Sequence, residues 1–83
     1  MERFELGADG LCAKYPKLIY CNLGAYGDVG PLNHQTGYDP LMQAFSGIMS
    51  VTGEAGRPPV RVGPSIIDQG SGMWCVIGIL SAL

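Results

Sequence analysis

The sequence predicts an α/β chain with about three helices, one or two short strands and long glycine- and proline-rich loops. Three observations carry that prediction. Residues 18–23, LIYCNL, form a short β-prone apolar run bounded by Pro16 and Gly24. Leu41, Met42, Phe45, Ile48 and Met49 recur with the 3.6-residue period of a helix. From 73 to 83 nearly every residue is apolar, so a helix there is apolar all round and is expected to be buried.

Taken in order, residues 1–6 are a short charged lead-in. A weak helix is expected over 7–17, with Asp9 as its cap, Leu11 and Ala13 as apolar positions, and Pro16 as its end. The strand at 18–23 follows. Gly24, Gly27 and Gly30 then open the loop GAYGDVGPLNHQTG. Its glycine spacing matches neither a Walker A motif nor a dinucleotide fingerprint, so it reads as a plain surface loop. Asp39 and Pro40 mark a helix start, a capping residue followed by proline, and that helix is expected to run to about Ser50. Met42 and Met49 read as core residues. Residues 52–64 form a connector in which Val60, Arg61 and Val62 alternate as a brief strand. The last helix is placed after Asp68, with residues 70–72, Gly-Ser-Gly, as a tight turn that exposes backbone N–H groups.

Composition narrows the function. With 83 residues the chain holds one domain at most. It is 47% hydrophobic and 14% charged, against about 25% charged in average globular chains. Such a sequence resembles the interior of something larger, or one partner of a tight oligomer. A net charge of −2 provides no basic footprint for nucleic acid. Cys12, Cys21 and Cys75 form no C-x-x-C pair, which argues against a disulfide framework or a structural zinc site and suits a reducing cytoplasm. The start of the chain lacks the pattern of a signal peptide. The C-terminal apolar run is shorter than the roughly 20 residues of a membrane span.

Reactive candidates are few. His34 is the only histidine, so no histidine pair is available for metal, and its polar loop marks it as an exposed residue. Ser71 and Cys75 are nucleophiles on paper, but a thiol inside an apolar run is usually an inert small hydrophobe. Asp39 and Asp68 are the only carboxylates at helix starts beside glycine-rich loops. Either is a cap or a reagent.

Four stretches carry a resemblance. RVGPSIIDQGSGMWCVIGILSAL resembles the segment of family III CoA-transferases in which an aspartate precedes a small-residue step and an apolar helix. YPKLIYCNLGAYGDVGP is similar to that family's glycine-loop block, GYDPLMQAFSGIMSVTGEAGRPPVRVG to its G-Y-D block, and ERFELG to its E-R-L-G-L-G lead. The blocks fall in order and cover essentially the whole chain. The resemblance implies an internal part of a Rossmann-like large domain, begun after that domain's first strands and stopped within a helix, without the downstream glycine-rich loop and small domain.

It also implies a chemistry. Asp68 is the acyl-accepting carboxylate, Tyr38 lines the thioester site, and Arg3 approaches the phosphates of coenzyme A. The backbone at Gln35, Thr36, Gly37 and Tyr38 runs beside the pantetheine arm. The ionised Asp68 attacks an acyl-CoA thioester to give a mixed anhydride and CoA thiolate, which returns to form an aspartyl-CoA thioester. A carboxylic acid acceptor then runs the sequence in reverse. The helix dipole favours the charge on Asp68, and N–H groups at 70–72 are placed to stabilise an oxyanion. CoA is substrate rather than a bound cofactor, no metal is needed, and the protomers are expected to form a dimer. Departures at Asn22, Leu23, Ala25, Pro64 and Gln69 bear on acyl specificity. Two alternatives stand beside this reading. One is a 2-methylacyl-CoA racemase, in which a histidine occupies position 38. The other is a non-catalytic remnant that acts as an assembly module.

Overall fold

Glycine and proline set the helix boundaries in the computed structural model, which describes residues 2–83. A 3-10 turn spans Glu2–Phe4, helix α1 spans Ala8–Lys14, α2 spans Asp39–Phe45, a second 3-10 turn spans Ile48–Val51, and α3 spans Ile66–Ala82. Helix α1 is capped by Gly7 rather than Asp9, which lies in its first turn. It ends at Lys14, with Tyr15 as the C-cap immediately before Pro16, because the proline ring disfavours helical backbone in the residue ahead of it.

Helix α2 is shorter than its apolar period suggests. Gly47 adopts φ 82°, a left-handed conformation that glycine reaches without a Cβ clash, and the helix stops there. The chain resumes as the 3-10 turn, pinned by Ser50 Oγ donating to the Gly47 carbonyl at 2.7 Å and Thr52 Oγ1 donating to that of Ile48 at 2.7 Å. Gly27 and Gly30 also have positive φ and shape the loop after residue 23, which Asn22 Nδ2 ties to the Asp28 carboxylate at 3.1 Å. Tyr26 meets Phe45 of α2 edge-on, with ring centroids 5.2 Å apart.

Two expectations about α3 are corrected. The helix begins at Ile66, two residues before Asp68, so residues 70–72 lie within its body and form no turn. Nor is its apolar surface buried within this chain: Trp74 is 73% exposed, and no residue of the helix is buried. Helix α2 and residues 19–21 cover only part of it. A short chain 55 × 29 × 16 Å across has too little interior to enclose a helix that is apolar on every side.

The expected strands at 18–23 and 60–62 are also absent: no strand occurs among the described residues. A strand is completed by a paired neighbour. Residues 19–21 lie against α3 with no strand among the described residues alongside, and the Val62 N–H bonds to the Gln43 side chain at 2.8 Å instead of to a ladder.

Candidate active site

The most enclosed part of the chain is polar. Asp39 is 3% exposed and Gln43 is fully buried, while no apolar side chain among the described residues is buried. The two sit at i and i+4 on α2, one turn apart on the same face. Gln43 Nε2 donates to Asp39 Oδ1 and leans toward the carbonyls of Val62 and Pro64, at 3.4 and 3.5 Å. Its Oε1 accepts the Val62 N–H. Gln43 thus holds the connector that leads into α3.

Asp39 acts on α3 itself. Its Oδ2 accepts the backbone N–H of Ile67 at 2.8 Å and of Asp68 at 3.2 Å. The Ile66 N–H is taken by the Pro64 carbonyl at 2.8 Å, and the Gln69 N–H by that of Ser65 at 3.0 Å. Helix starts leave such groups without intrahelical partners. Here the cap arrives from another helix, and the residue at the N-cap, Ser65, makes no side-chain cap bond. Burial pushes the Asp39 carboxyl up. The N–H bonds from Asp68, Gln43 and Ile67, with the nearby Arg61 charge, outweigh that and leave it below its ordinary range. Asp39 therefore caps α3 rather than its own helix, and Asp68 is not the N-cap.

Asp68 is exposed in the first turn of α3, and its carboxylate accepts no hydrogen bond among the described residues. It lines a hollow of about 310 Å³ with Leu23, Gly24, Ala25, Gly37, Met42 and Ser71. A side chain at Gly37 would collide with Ala25 Cβ and approach Met42 Sδ to 2.8 Å, so glycine keeps this wall open. The N–H groups expected at 70–72 to hold an oxyanion belong to the helical ladder, which removes them from that role.

The whole chain, residues 1–83, matches the profile of CoA-transferase family III. The chain belongs to that family. It is 45% identical to an acyl-CoA transferase of Fusarium pseudograminearum (strain CS3096), with all of this chain and 18% of that protein covered. It is 42% identical to an acetyl-CoA:oxalate CoA-transferase of Acetobacter aceti (100% and 22%) and 36% identical to a succinyl-CoA:glutarate CoA-transferase of Mus musculus (100% and 19%). Its structure is similar to the crystal structure of a CaiB/BaiF family protein from Brucella suis, with a TM-score of 0.90 and 38% identity over 98% of this chain and 21% of that one. The chain spans about a fifth of the length of these relatives.

The residues that the family resemblance singles out are partly gathered. Asp68 and Gly37 share the hollow. Tyr38 adjoins it in sequence, but the residue is 71% exposed and forms no part of the lining. Gln35 and Thr36 are exposed, with the Gln35 N–H bonded to the Leu32 carbonyl at 2.9 Å. Arg3 lies apart, its guanidinium 4.6 Å from the centre of the Phe4 ring. His34 is exposed. The pair missed from the sequence is Asp39 with Gln43. The signal was their i, i+4 spacing, masked by the apolar period running through the same helix. Among the described residues no group of three His, Cys, Asp or Glu side chains gathers, and no helix is long and apolar enough to cross a membrane.

Proposed function

We propose that Asp68 is the covalent acyl acceptor of a CoA-transferase and that this chain carries the nucleophile's part of its active site. The observation that carries the reading is the contrast between the two aspartates. Asp39 is buried with both oxygens engaged, whereas the Asp68 carboxylate accepts no hydrogen bond among the described residues and Asp68 lines the hollow. A carboxylate that donors do not hold keeps its lone pairs available for attack.

In this mechanism an Asp68 oxygen forms a bond to the thioester carbonyl carbon and the C–S bond breaks, giving an acyl-aspartyl anhydride and CoA thiolate. The thiolate attacks the aspartyl carbonyl, the donor carboxylate leaves, and an aspartyl-CoA thioester remains. The acceptor carboxylate then attacks that thioester, and the same steps in reverse yield the new acyl-CoA and restore Asp68. Every step exchanges one carbonyl-bound leaving group for another, so no net oxidation occurs. Gly37 and its neighbours Gln35, Thr36 and Tyr38 border the pantetheine path, and Arg3 serves the CoA phosphates. The names of the relatives, which pair acetyl-CoA with oxalate and succinyl-CoA with glutarate, support a small acyl-CoA donor and a carboxylic acid acceptor. The open apolar face of α3 supports assembly as a dimer, and the three free cysteines suit a reducing cytoplasm.

The test is Asp68→Asn in the full protein. Asn retains the size of the side chain but cannot form an anhydride, so transfer is expected to fall by several orders of magnitude while the melting temperature stays the same. Hydroxylamine trapping during turnover, followed by peptide mass analysis, should mark Asp68 in the wild type. Full transfer by a folded Asp68→Asn variant overturns the assignment.

A further inference from the structure

We infer that Asp39 is a positioning residue for acyl transfer: by capping α3 from α2, it takes first-turn N–H groups that the Asp68 carboxylate would otherwise compete for. The inference rests on the reading of Asp68 as acyl acceptor. Asp68 is the third residue of α3. A carboxylate there can reach back to the N–H of the N-cap residue, here Ser65, and lies close to the first-turn N–H groups that have no intrahelical partner. In this chain those of Ile67 and Asp68 are already held by Asp39 Oδ2, at 2.8 and 3.2 Å, and that of Ile66 by the Pro64 carbonyl. With these first-turn donors occupied, the Asp68 carboxylate accepts no hydrogen bond among the described residues, and Asp68 lines the hollow.

The arrangement is built rather than incidental. Asp39 is 3% exposed and Gln43 0%, and no buried side-chain nitrogen or oxygen among the described residues lacks a partner. Gln43 fixes the direction of the Asp39 carboxylate by donating to Oδ1, which leaves Oδ2 aimed at α3. Gln43 also grips Val62, so the connector and the helix start are set by one pair of side chains. An anion at the start of a helix is further favoured by the macrodipole. Asp39 takes that favourable place, and Asp68 remains available as a reagent.

The experiment is Asp39→Asn in the full protein. Asn offers one oxygen where Asp offers two, and its amide would face the Gln43 Nε2 donor. The cap is weakened, and Asp68 gains open N–H groups to turn toward. The expected result is a drop of tenfold or more in kcat with KM for acyl-CoA within about twofold, and slower hydroxylamine labelling of Asp68. Amide hydrogen exchange should quicken at Ile67 and Asp68 in particular. Asp39→Ala is expected to show the same split more severely. If that variant fails to fold, Asp39→Asn carries the test. An Asp39→Asn protein with wild-type kcat, in an enzyme whose Asp68 is labelled, overturns this inference alone. A wild type that turns over with no label on Asp68 overturns the nucleophile reading, and this inference with it.

Discussion

Asp39 Oδ2 lies 3.2 Å from the backbone nitrogen of Asp68, 29 positions along the chain. One aspartate thus holds the peptide group of the other, and the two carboxylates divide the work at one helix start. Asp39 satisfies the backbone, and Asp68 faces the hollow.

The first prediction concerns acid. The Asp39 carboxyl is held below its ordinary value of 3.8, so the folded state binds that proton less readily than the unfolded chain does. Its contribution to stability is therefore fully present above the unfolded value and is lost as pH falls through the depressed folded value. Melting temperatures of the full protein measured from pH 7 down to about pH 2.5 should show a decline beginning near the ordinary carboxylate range. Asp39→Asn should have a shallower acid limb. Parallel curves for the two proteins would mean that Asp39 has no such linkage.

The second concerns Gly37. A methyl group there meets Ala25 Cβ, which cannot rotate away, and Met42 Sδ, which can. Overpacking of this kind costs about 1–3 kcal/mol. Gly37→Ala should lower the melting temperature and raise KM for acyl-CoA, because the strained wall also lines the Asp68 hollow. Adding Ala25→Gly should restore much of both. If the double variant is no better than the single one, the contact is not the cause.

Tyr38 separates transfer from racemisation. A phenol hydroxyl is a poor general base where an imidazole is a good one, and Tyr38 is 71% exposed and no part of the hollow's lining. The wild-type protein is expected to exchange no α-proton of a 2-methylacyl-CoA into deuterated water, as read by mass spectrometry. Rapid exchange would favour the racemase alternative.

A fourth prediction follows from α3. Trp74, Met73 and Leu80 are 73%, 66% and 63% exposed, a larger apolar surface than single scattered residues present. The 83-residue chain expressed alone should self-associate at micromolar concentration, with light scattering as the measure. Trp74→Glu with Leu80→Glu should reduce the associated mass. A sharp monomer mass for the unmodified chain would count against the idea.

The helical stretches, the break at Pro16 and the family were legible in the sequence, because they depend on apolar period, proline geometry and the family's blocks. The end of α2 at Gly47 was less so, since the apolar period runs on through Ile48 and Met49 and only the left-handed backbone of Gly47 interrupts it. Strand character at 18–23 was a propensity without a partner, and pairing is a tertiary property.

The division of labour between Asp39 and Asp68 was decided by tertiary structure alone. Seen locally, each is an acidic residue at a helix start and each qualifies as a cap of its own helix. The packing of α2 against α3 lets Asp39 reach across 28 and 29 positions to Ile67 and Asp68, and a helix start has only a few free N–H groups to satisfy. Asp39 occupies two of them, so sequence determined that two aspartates sit at helix starts and three-dimensional contact decided which of them caps.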